Sequence, residues 1–143
     1  MTLTNDFTAQ RAKYNRDAIL SAAPVTLLTM LYDRLLLDLG RAEAAQERED
    51  WAVARENLLH AQDIIAELSS SLKLDAWDGA PGLFGLYNYV SGLLITANIN
   101  RDATHTRECI AVLEPLRQVW YEAAAELPAH PPVVAATGTL GIG

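Results

Sequence analysis

Cysteine, basic residues and signal-like segments are scarce in this 143-residue chain, and one long stretch has no charge at all. The single cysteine, Cys109, excludes an internal disulfide and makes a reducing compartment the simple inference. Eleven Lys and Arg stand against 18 Asp and Glu, for a net charge of −7 and a pI near 4.8. That balance excludes the clustered cationic surface needed to hold nucleic-acid phosphates. The N-terminal MTLTNDFTAQRAKYNRD has no apolar core followed by a cleavage site, so no secretory signal is read there and the cytoplasm is the expected location. Glu-x-x-His, zinc-spaced Cys–His pairs, Cys-x-x-Cys-His, a P-loop, a paired-glycine dinucleotide turn and a Gly-x-Ser-x-Gly elbow are all missing. No metal, cofactor or catalytic group is expected, and the chain is read as a non-enzyme.

The charge-free stretch is the most informative absence. From Gly79 to Asn100 the chain runs 22 residues, GAPGLFGLYNYVSGLLITANIN, without Asp, Glu, Lys or Arg. Leu83, Leu86, Val90, Leu93 and Ala97 recur at alternating spacings of three and four, which places them on one side of a helix. Phe84, Tyr87, Tyr89, Leu94 and Ile95 spread over the rest of its circumference. A helix apolar most of the way round is covered on several sides. It is therefore either the central helix of a bundle or one whose outer face waits for a partner, and residue spacing leaves both open. A membrane span is excluded by Asn88, Asn98, Asn100, Ser91, Thr96 and the interspersed glycines and proline, and by the lack of flanking basic clusters.

What is present reads as helices. Half of the residues are hydrophobic and the mean hydropathy is +0.06, which suits one globular domain. Residues 1–22 read as a polar, mildly amphipathic opening ahead of a four-helix bundle over residues 23–127. Ser21 or a neighbour caps the first helix, Pro24 sits in its first turn, and the helix runs to about Gln46. Its broad apolar face carries Leu27, Leu28, Leu31, Leu35, Leu39 and Ala42. Asp50 is the expected cap of the second helix, where Trp51, Ala54, Leu58, Ala61, Ile65, Leu68 and Leu72 give the cleanest 3–4 alternation in the chain. Turn signals between Lys73 and Pro81 precede the charge-free helix, and Arg101-Asp102-Ala103-Thr104 caps a fourth one running to about Leu127. Pro115 lies inside its pattern of Val112, Leu113, Leu116, Trp120, Ala123 and Leu127, so a kink or a restart is expected there. Period-2 alternation is absent, and short connections favour an all-α, antiparallel up-down bundle. The tail, residues 128–143, mixes Pro, Gly and small residues without a period and is expected to be disordered.

Two side chains are reactive enough to be weighed as chemistry. His60, in LLHAQDIIAEL, would make the bundle a phosphotransfer or signalling module if it accepted a phosphoryl group. That role needs nearby cations, and no Lys or Arg follows within a turn, so a boundary histidine is the plainer reading. Cys109, between Glu108 and Ile110, reads as an apolar-face residue rather than a nucleophile.

Several separated motifs resemble one family, the flagellin-specific flagellar export chaperones. They are Tyr14 with Ala18-Ile19, Ser21-Ala22-Ala23-Pro24, and Leu27-Leu28-x-Met30-Leu31-Tyr32-Asp33. Then follow Ala61-Gln62-Asp63-Ile64-Ile65-x-x-Leu68-x-x-Ser71-Leu72, Leu86-Tyr87-x-Tyr89-Val90, Ala97-Asn98-x-x-x-Asp102 and Leu116-Arg117-x-Val119-Trp120. The resemblance covers about Tyr14 to Ala124. It implies a cytoplasmic bundle that binds the C-terminal region of flagellin, keeps it from polymerising and presents it to the flagellar export gate. It also implies that the partner wraps around the bundle, while the N-terminal segment caps the empty groove. Carried onto this chain, the binding face would comprise Leu27, Leu28, Leu31, Tyr32, Leu86, Tyr87, Tyr89, Val90, Leu93 and Asn98, with Tyr14 and Ile19 in the movable cap. Self-association of the free chain through the same apolar face is left open by the sequence. The sequence Trp77-Asp78-Gly79-Ala80-Pro81-Gly82 departs from the paired glycines and apolar start usual in the family, so the third helix is expected to begin late.

Overall fold

The computed structural model describes residues 25–75 and 78–126. Four helices follow one another: α1 (Val25–Glu47), α2 (Trp51–Ser70), α3 (Ala80–Asn100) and α4 (Ala103–Glu126). α1 packs against α2 and α4, and α3 packs against the same two, so α1 and α3 occupy opposite corners of the bundle. The all-α four-helix architecture expected from the periodicity is the one observed, with no strand among the described residues. The expected start of α1 near Ser21 and Pro24, Tyr14 and Ile19 of the cap segment, and the tail beyond Leu127 lie outside the described residues.

Short connections are set by local chemistry. Asp50 accepts a hydrogen bond from the Val53 N–H at 3.3 Å, satisfying one of the donors left open at the start of α2. α3 begins at Ala80 with Gly79 as cap and Pro81 in its first turn, where a missing N–H costs nothing. The late start expected for this helix is thus corrected: it begins at Ala80, and Pro81 falls in the first turn, where the backbone N–H has no intrahelical partner to lose. α3 ends on Arg101 in the left-handed region, φ 53°, and Asp102 then accepts from the Thr104 N–H at 2.9 Å to open α4. α4 continues through Pro115 without restarting. Pro115 and Ala111, whose carbonyl loses its i+4 donor, are both exposed, so water can replace that bond.

The core is a column of Leu35, Leu39, Leu58, Ile65, Val90, Leu94 and Leu113, all fully buried, with Trp120 and Tyr32 edge to face at 6.2 Å between centroids. Truncating one of these leucines to Ala would cost about 2–5 kcal/mol. Of the expected α2 row, Ala54, Leu58, Ala61, Ile65 and Leu68 are buried, joined by Ile64, whereas Trp51 at the helix start and Leu72 beyond its end are half-buried. On α3 the core row is Ala80, Leu83, Tyr87, Val90, Leu94 and Ala97. Leu86 and Leu93, expected on that row, flank it instead.

Polar groups also cross the interior. Gln46 donates its side-chain amide to the Ala97 carbonyl at 3.2 Å and accepts from the Thr106 hydroxyl at 2.7 Å, tying α1, α3 and α4 together. Asp38, 0% exposed, accepts from Arg34 one turn earlier and is bonded to Nδ1 of His60 on α2. A buried carboxylate persists only when paired in this way.

Candidate partner-binding surface

The diagonal placement of α1 and α3 divides the expected binding residues. Leu28 and Tyr32 of α1 and Tyr87 and Val90 of α3 point inward and are core. The expectation that they line an open face is corrected for the bundle as it stands: a helix carries its core row every three to four residues, and these four positions belong to it. Leu31, Leu86 and Leu93 are half-buried and pack on the core's edge. Leu27 and Tyr89 are exposed, whereas Asn98 is half-buried beside a cavity at the end of α3.

The exposed apolar side chains that remain sit on two separate faces. Leu27, Met30 and Leu37 follow the outer side of α1, interrupted by the exposed Arg34. On the opposite corner, α3 presents Tyr89, Ile95 and Ile99, which are 50%, 45% and 72% exposed. Between these lie Gly85, Asn88, Gly92 and Thr96, so the outer surface of α3 is apolar and small with no charge. A Cβ added at Gly85 or Gly92 would meet nothing within 4 Å. Nothing in the described chain approaches those positions closely enough to demand glycine, although glycine in a helix interior costs about 0.5–1 kcal/mol.

Charged groups fringe this surface. The Tyr89 hydroxyl donates to Glu108 of α4, and that bond raises the phenol pKa above its ordinary value. Where α1 meets α4, Arg117 donates to Asp33 at 2.6 Å and its guanidinium lies 4.9 Å from the Tyr121 ring centroid. The Tyr121 hydroxyl also donates to Asp33; it, and then Arg117, hold that carboxyl below the usual range against the opposing effect of burial. None of these three side chains was singled out by sequence reasoning as a group; they are 84 and 88 residues apart in pairing and share no local pattern.

Comparison with known proteins follows the same outline. The family model for the flagellar protein FliS matches residues 7–127. The chain is 30% identical over 123 residues to the flagellar secretion chaperone FliS of Bacillus subtilis (strain 168), covering 86% of this chain and 89% of that protein. It is 33% identical over 108 residues to the protein of that name from Salmonella typhimurium (strain LT2), covering 72% and 78%. The Escherichia coli K12 protein of that name is 30% identical over 107 residues, covering 73% and 79%.

This chain belongs to the FliS family. The match covers all four helices, including the charge-free α3 and both exposed apolar faces. FliS is a chaperone family, which is not an enzyme class. Within this FliS bundle the two reactive side chains have structural surroundings. His60 braces α2 to α1 through Asp38, beside a shallow depression of about 380 Å³ that Arg34, Arg55 and Asn57 also line. The cations missing from the histidine's own C-terminal turn are therefore brought near by α1 and by the preceding turn of α2. Cys109 is fully buried, and burial, reinforced by Glu108, pushes its thiol up to about 12. Among the described residues no group of His, Cys, Asp and Glu could hold a metal ion, and no helix is long and apolar enough to cross a membrane.

Proposed function

We propose that this chain is a flagellar secretion chaperone that binds the C-terminal segment of flagellin, keeps it from polymerising before export and delivers it to the export gate from the cytoplasm. The observation carrying the reading is the outer face of α3, charge-free over its whole length and exposing Tyr89, Ile95 and Ile99. Exposed apolar surface on this scale marks an interaction site, and a helix laid along it is a natural occupant. The small side chains at Gly85 and Gly92 would let a partner backbone come close.

The opposite placement of the α1 and α3 faces favours an elongated partner. One compact groove cannot include both Leu27 and Ile95, since the bundle lies between them; a chain that touches both must pass over α2 or α4. In this reading Tyr14 and Ile19 belong to a segment that covers the apolar face when the partner is absent.

The test is co-elution or calorimetry of the full chain with the C-terminal segment of its cognate flagellin. A saturable complex at or below tens of micromolar, roughly 6 kcal/mol or more of binding free energy, supports the reading. A folded, helical protein that forms no complex in that range removes it.

A further inference from the structure

The bundle leaves the outer face of α1 bare. Leu27, Met30 and Leu37 are 44%, 61% and 46% exposed and share one side of the helix. The two charged side chains in that stretch are already engaged. Arg34 is bonded to the buried Asp38, and Asp33 accepts from Arg117 and Tyr121 of α4. Cover for this face is therefore best supplied by apolar, uncharged chain.

The end of α4 lies beside this face. Arg107 pairs with Glu43 and Glu47, while Arg117 and Tyr121 bond Asp33, so α4 runs antiparallel to α1 and toward its start. Beyond Tyr121, the remaining helix of about one and a half turns brings Glu126 level with the Leu27–Met30 turn. The other exposed apolar face is remote from that point. Tyr89 bonds Glu108, which precedes Glu126 by about 27 Å of helix, and Ile95 and Ile99 lie farther still.

Residues 127–143, which follow α4, carry no Asp, Glu, Lys or Arg, and hold Val133, Val134, Leu140 and Ile142 among small residues. An extended chain advances at most about 3.3–3.6 Å per residue, so Val133 reaches up to about 25 Å from Glu126. That is enough for Met30 and short of Tyr89. From Val134 to Leu140 the chain spans up to about 20 Å, against about 15 Å from Leu27 to Leu37 along α1. We propose that residues 133–142 fold back on the outer face of α1 of their own chain. Val133 and Val134 cover Leu27 and Met30, and Leu140 covers Leu37. A second copy is the weaker occupant, since it would bring two chains of net charge −7 together. The tether instead supplies the segment at an effective concentration on the order of millimolar. The inference concerns the free chain and does not need its partner to be flagellin.

The test places a nitroxide on the full chain through Thr137→Cys. Native Cys109 is fully buried, so labelling at neutral pH goes to the new thiol, and the parent treated alike serves as control. Methyl spectra of the carbon-13-enriched chain then report proximity, and Met30 is one of only two methionines. The label should broaden the methyl signals of Met30, Leu27 and Leu37 far more than those of Ile95 and Ile99, unchanged on dilution. Val134→Ser combined with Leu140→Ser should reduce the broadening at Met30 by about fivefold or more, because the segment then has little apolar surface to bury. Met30→Glu, at an exposed site and so still helical by circular dichroism, should reduce the broadening at Leu37 by about as much. Equal broadening of the α3 methyls, uniform broadening over the surface, or none at all would each overturn the proposal. So would broadening carried between chains, seen on an enriched, unlabelled chain mixed with a spin-labelled one, which would give the face to a second copy.

Discussion

The hydroxyls of Tyr32 and Tyr87 meet at 2.8 Å in the middle of the bundle, joining the two helices that otherwise stand at opposite corners. Both rings are buried, so these tyrosines pair α1 with α3 through the core rather than offering themselves to a partner. Tyr32→Phe or Tyr87→Phe should lower stability by about 1–2 kcal/mol. The double variant should lose less than the sum of the two, because the second substitution removes a hydroxyl for which this bond is already gone. Urea unfolding of the four proteins measures this, and strict additivity would mean the bond contributes nothing.

On the outer surface, Ile95→Glu should leave the bundle helical and monodisperse yet weaken flagellin binding by about 2 kcal/mol or more, the scale of a buried anchor. Tyr89→Glu should act in the same sense with some loss of stability, since the new carboxylate replaces a donor facing Glu108. Leu93→Glu should instead destabilise the isolated chain, because Leu93 packs on the core's edge. Circular dichroism beside calorimetry distinguishes these outcomes; an unfolded Ile95→Glu protein would show that the face is structural.

Gly92→Ala offers a cleaner contrast. The added methyl meets nothing within 4 Å and removes a flexible residue from a helix interior, so stability should rise by about 0.5–1 kcal/mol. If a partner backbone rests there, binding should fall by tenfold or more, about 1.4 kcal/mol, in a protein that is more stable than its parent. Thermal unfolding and a binding titration on one sample check both halves.

His60→Ala should destabilise the bundle by about 1–3 kcal/mol by leaving Asp38, fully buried, with Arg34 alone. Flagellin affinity of the folded fraction should be unchanged. A variant as stable as the parent would show that the α1–α2 brace carries no weight.

Cys109 sets a pH dependence whose sign follows from its environment. Below the ordinary thiol pKa the group is neutral in both folded and unfolded chains, and stability does not respond to it. Between there and about 12 the unfolded thiol ionises while the native one does not, so stability falls as pH rises. The limiting slope is about 1.4 kcal/mol per pH unit. Denaturant melts from about pH 8 to 10 on the parent and Cys109→Ala should diverge, and native Cys109 should resist alkylation at about pH 8. Rapid native labelling would contradict its burial.

How much could be read in advance differed from helix to helix. The α2 row was legible because Arg55, Glu56, Asp63 and Glu67 mark the opposite side, leaving one choice of core face. α3 has no charged side to mark, and two adjacent rows satisfy the same spacing: one through Leu86 and Leu93, the other through Tyr87 and Leu94. Packing against α2 and α4 selected the second. Asp38 and Gln46 were invisible as core residues because a polar side chain is admitted only when its partners, here His60 and Thr106, arrive from other helices.

Local sequence thus determined that this protein is helical, where its connections fall, and that one helix would carry more apolar surface than charge could mask. Those are properties of spacing, caps and composition, and they act over a few residues. Which apolar side chains became core and which stayed outside, that the α1 and α3 faces look away from each other, and that Arg55 and Arg101 share a cavity were decided only by tertiary structure. The reason is physical: burial depends on which neighbouring helix covers a side chain, and that is settled when all four helices close around one core.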